Sequence, residues 1–169
     1  MPVDHLGAEA VLLAANEVMA RRVLPGALPV LIVNQFPSSD RIGNHFRKGA
    51  AVAGSAGAEI DERVQGTKDA IAFANASPSA FSNPQLDNFL QANKVKTLYV
   101  LGVYAEGCVR STVLDALKRG YRVVVDENAV ASNAPWKKRF ALWSMKRAGA
   151  SVIRGFAAAD SPPSVEVAT

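Results

Sequence analysis

The chain has 169 residues, 49% of them apolar, which is enough for one compact domain with a core of its own and short for two. Its formal charge is +4, its single cysteine excludes an internal disulfide, and no apolar run approaches the roughly 18 residues of a membrane span. With no charged-then-apolar leader in view, a soluble protein of the reducing cytoplasm is expected.

From the amino end, GAEAVLLAANEVMARR joins good helix formers with Val11, Ala15, Val18 and Met19 on one side, and LPG closes it. LPVLIVNQF (28–36) is a short β-branched run, the pattern of a strand covered on both faces. The polar, glycine-containing stretch from Pro37 to Arg63 reads as loop with short helical pieces. AIAFAN (70–75) is the next strand. NPQLDNFLQAN opens a helix, since Pro84 suits a first turn after an Asn83 or Ser82 cap, and Leu86, Phe89 and Leu90 share a face. KTLYVLGV (96–103) is the clearest strand. The helix beyond it carries Val109, Thr112, Val113, Ala116 and Leu117 at helical spacing, and Gly120 stands where a left-handed cap is wanted.

YRVVVDENA is again a strand, APWKKRFALWSMKRAG a helix and ASVIRGF a last strand, followed by a Pro/Ser/Ala tail over 156–169 expected to be loose. In the last helix Trp136, Phe140 and Trp143 recur at helical spacing and are expected to form a buried stripe. Lys137, Lys138 and Lys146 are then its wet face, and nucleic acid is not expected as a partner. Strands and helices alternate throughout, which predicts an α/β fold with a parallel sheet covered on both faces.

Cys108 stands in the turn from the clearest strand into the next helix, beyond the strand's carboxyl end, where such folds bind ligands. Its sulfur would face the unpaired N–H groups of the first turn and the positive end of the helix dipole, both of which favour thiolate over thiol. The same donors can hold an oxyanion. A free cysteine is also a small apolar residue that fills space between helix and sheet, and position alone leaves both readings open.

LYVLGVYAEGCVRSTVLDALKRGYRVVVDENAVAS (98–132) resembles the isochorismatase-like cysteine hydrolases. Gly102, Cys108, Val109, Thr112, Asp115, Ala116, Gly120, Tyr121, Val123 and Ala131-Ser132 stand in the family's order. The likeness extends back through Ser79-Ala80-Phe81, Leu86 and Leu90 to PVLIV. It implies a Rossmann-like three-layer α/β/α sandwich with a mostly parallel sheet, one domain over 1–155, and hydrolysis of a C–N bond in a small amide. By the same resemblance Cys108 is the nucleophile and Val103–Tyr104 a cis peptide bond. The N–H groups of Tyr104 and Cys108 then make the oxyanion hole.

The resemblance also marks two departures. The family lysine falls on Asn75, and the family's aspartate base belongs to a first strand for which this chain has almost no room, Asp4 being the nearest candidate. Activity is accordingly expected to be impaired; the alternative is a catalytically degenerate member serving as a binding or assembly subunit. His5 and His45 do not stand in an Asp-x-His spacing, so no metal is expected, and no cofactor. The expected partners are a small amide and further copies of the chain, with no nucleic acid and no membrane. A missing first strand would leave two interior strand edges. Direct pairing of PVLIV with TLYVLGV, or a segment donated by another chain, is expected to close them.

Overall fold

The structure, a computed structural model, describes residues 5–20, 26–46, 51–55 and 58–155. In chain order the elements are α1 (His5–Met19), β1 (Val30–Asn34), α2 (Arg41–Phe46), β2 (Ile71–Asn75), α3 (Pro84–Ala92), β3 (Thr97–Val103), α4 (Arg110–Lys118), β4 (Arg122–Ala131), α5 (Pro135–Arg147) and β5 (Ser151–Ile153). Local chemistry sets several of these boundaries. Asn83 caps α3, its side chain accepting from Gln85 N at 3.0 Å, with Pro84 in the first turn. Gly120, at φ 86°, ends α4 in the left-handed region as expected.

All strand pairings are parallel. β1 lies beside β2 in one sheet, and β3, β4 and β5 form a second in that order. The β3–β4 register shifts between Val100 and Gly102, and buried Asp126 holds the irregular stretch by accepting from Asn128 N at 2.8 Å and Gly155 N at 2.9 Å. α1 packs on β3 and β4, while α4 and α5 pack on β4, giving the expected layered α/β arrangement. The core lies around β4, where Val123, Val125 and Val130 meet Val113 and Ala116 of α4 and Ala141 and Met145 of α5. Among the described residues no helix is long and apolar enough to cross a membrane.

Two expectations are corrected. Trp136, Phe140 and Trp143 are exposed, and the buried side of α5 is Ala141 and Met145. Aromatic spacing identified a helix face but not which face turns inward; small Ala141 and unbranched Met145 fill the buried side. Direct pairing of β1 with β3, one of the two expected ways of closing the gap, does not occur among the described residues. Their facing edges border an apolar cavity of about 480 Å³, walled also by Val18 and Met19 of α1 and by Leu86 and Leu90 of α3. β1 is therefore less covered than its sequence suggests, with Ile32 exposed. Asp4 and the 156–169 tail lie outside the described residues.

Candidate active site

β3 ends at Val103, and Val103–Tyr104 is a cis peptide bond, as expected. The next five residues, Ala105–Val109, wind as a π-helical turn that runs directly into α4. Buried Ala105 and Val109 pin this turn to the core, so Cys108, half-buried, stands in the opening turn of a continuous helix at the carboxyl edge of the sheet. The end of β4 lies alongside: Val103 pairs in register with Ala131, and Ser132 beyond it is buried, its hydroxyl accepting from Ala134 N at 3.3 Å. Residues far apart in sequence, 103–108 and 131–132, thus frame one edge. Burial first, then the charges of Glu106 and Cys108, hold the Tyr104 hydroxyl above its ordinary pKa, which places these three groups in one electrostatic neighbourhood.

Asn75 closes β2 and is paired in register with Asn34 at the end of β1. It is only 5% exposed. Its side-chain N–H₂ faces three acceptors: Asn34 Oδ1 at 2.6 Å, Ser77 O at 2.5 Å and Ser79 O at 3.4 Å. Its own Oδ1 is buried without a hydrogen-bond partner. The segment after it turns against α4, where Ala80 N donates to Thr112 Oγ1 at 3.0 Å, one turn beyond Cys108. The acceptor cluster and the cysteine helix are therefore parts of one assembly.

Two residues of this edge escaped sequence reasoning. Asn34 is visible only through the β1–β2 register, although a polar residue ending an apolar strand run was the available signal. Glu106 sits in the cysteine turn, its Oε1 3.9 Å from Lys137 Nζ and its Oε2 buried and unpartnered. Lys68, in a short 3₁₀ turn, lies at the amino end of β2 and so away from this edge.

The Isochorismatase domain family model matches residues 5–155. The chain belongs to the isochorismatase family. Within it, the chain is similar to N-carbamoylsarcosine amidase of an Arthrobacter species, 35% identical over 78 residues that cover 46% of this chain and 30% of that protein. A probable inactive nicotinamidase of Arabidopsis thaliana is 29% identical over 134 residues, covering 73% of this chain and 68% of that protein. Among solved structures, the pyrazinamidase of Pyrococcus horikoshii in complex with zinc superposes with a TM-score of 0.78 at 31% identity, covering 91% of this chain and 89% of that one. Among the described residues of this family member no three His, Cys, Asp or Glu side chains group as metal ligands, so a zinc donor set is not present there.

Proposed function

We propose that this protein hydrolyses a C–N bond of a small amide with Cys108 as nucleophile. The observation that carries the reading is the placement of Cys108 in the opening turn of a helix beside the joined ends of β3 and β4. The dipole and first-turn N–H groups favour a thiolate there. The thiolate attacks the amide carbon, and the N–H groups of Tyr104 and Cys108 receive the oxyanion. As the C–N bond breaks, the thiol proton ends on the departing nitrogen. Water then cleaves the thioester, releasing the acid and regenerating the thiol. The amidase relative of Arthrobacter supports a small amide as substrate class.

Ammonia release from a panel of small primary amides, ureas and nicotinamide tests this reading. Turnover that vanishes in Cys108→Ala supports it; turnover that survives the substitution removes the mechanism. A second reading, a degenerate family member that binds without turnover, is favoured by neutral Asn75 where the resemblance puts a lysine, and by the relative named as probably inactive. On that reading no amide releases ammonia, yet a bound amide still protects Cys108 from iodoacetamide.

A further inference from the structure

The cavity of about 480 Å³ has strands on two sides, residues 30–32 of β1 and 97–101 of β3. Among the described residues each of these strands has a strand partner on one edge only, β2 for β1 and β4 for β3. The other edges present ladder N–H and C=O groups to the cavity, which an apolar filling could not pair. Val18 and Met19 of α1 and Leu86 and Leu90 of α3 wall it as well. At about 3.3 Å per residue the 97–101 edge is roughly 16 Å long, which an extended stretch of about five residues matches. The charge around the cavity is one-sided. Lys94, Lys96 and Arg122, all exposed, line it at the amino ends of the parallel strands β3 and β4, and no acidic residue is among the described residues that line it. None of the three cations makes an ion pair among the described residues.

We propose that this slot binds the carboxyl-terminal end of another protein as an added strand, antiparallel to β3, with its apolar residues between β1 and β3 and its terminal carboxylate at Lys94, Lys96 and Arg122. Main-chain pairing then holds the peptide along both edges, and the side-chain walls select what it carries. Because helices as well as strands wall the slot with apolar groups, the matching peptide is a continuous β-branched run rather than an alternation of apolar and polar residues. Its direction follows from the charge. An antiparallel peptide brings a carboxylate to the amino end of β3, whereas a parallel one ending there would bring an ammonium group to three cations. An acyl chain with a carboxylate head would satisfy the same cations but leave both strand edges unpaired, a cost that favours the peptide. Binding here needs no turnover at Cys108.

The probe is a fluorescein-labelled peptide with a glycine–serine leader and a run of terminal valines, followed by anisotropy. Its free-acid form should bind with a Kd of about 1–50 μM. The same peptide with an amidated end should bind at least about 10-fold more weakly. Lys96→Glu, an exposed position where circular dichroism should not change, should weaken the free acid by a similar factor. Raising NaCl from about 0.05 to about 0.5 M should weaken the acid and leave the amide nearly unaffected. Bound peptide should slow amide exchange in β1 and β3 together, and more than in β4. No binding at about 1 mM overturns the proposal. So does an amide that binds as well as the acid, or protection confined to β1 or to β3. Decanoate that binds more tightly than the peptide assigns the cavity to a lipid and overturns it too. A peptide-free protein whose β1 and β3 amides are already as protected as those of β4, through its own chain or a second copy, does the same.

Discussion

Asn75 shows how much one residue's surroundings say beyond its identity. Its side-chain nitrogen has two hydrogens for three acceptors, Asn34 Oδ1, Ser77 O and Ser79 O, while its oxygen has no donor. An ammonium group, with three donors and no acceptor, matches that cluster better than an amide does. Asn75→Lys is therefore expected to fold with a melting temperature within a few degrees of the parent. If the cluster faces the cysteine turn, as the lysine that the family resemblance puts at this position would, the new cation should also speed iodoacetamide alkylation of Cys108 near neutral pH several-fold. Asn75→Leu instead strands the three acceptors and should cost about 1–3 kcal/mol in urea denaturation. An unchanged alkylation rate in Asn75→Lys would separate the end of β2 from the chemistry.

Between elements, the joint of α3, α4 and β4 is polar and aromatic at once. Tyr121, just past the glycine that ends α4, packs on Phe81 with centroids 5.8 Å apart and donates its hydroxyl to Asp87 Oδ1 of α3 at 2.8 Å. Arg119 covers the other part of this cluster, 4.7 Å above the Phe81 ring. Burial, then the hydrogen bond to Asp87, pushes the Tyr121 hydroxyl up to about 12. The folded state thus holds this proton more tightly than the unfolded chain does. The associated stability is complete below about pH 10, the ordinary tyrosine value, and is lost as pH rises towards about 12. Urea midpoints measured from pH 8 to 11.5 should fall more steeply in the parent than in Tyr121→Phe. Equal slopes would mean that the proton is not held. The elements themselves were legible in sequence wherever apolar period and turn chemistry agreed, as in α3, β3 and α4. The faces of α5 were not, because helical spacing is the same for a stripe turned inward or outward, and only contact with β4 decides. Asn34 was hidden for a related reason: its meaning comes from strand register, which a single sequence does not display.

At the scale of the whole molecule, the split sheet moves the mechanical centre to β4. β4 has a hydrogen-bonded neighbour on each side, whereas among the described residues β3 has one and turns its other edge, like β1, to the cavity of about 480 Å³. Burial follows the same division: Val125 of β4 is fully buried, and the residues of β3 are half-buried at best. Loss of methyl groups should therefore cost most where surrounding atoms cannot relax and solvent cannot enter. Val125→Ala is expected to cost about 2–3 kcal/mol, and Val100→Ala, its register partner on β3, about 1 kcal/mol. Urea denaturation of the two variants measures the difference. Amide exchange should agree with it, with β1 and β3 opening at lower free energy than β4. If both substitutions cost the same and β3 exchanges as slowly as β4, the cavity is filled in solution by a paired strand. The open edges would then be a feature of the isolated chain alone.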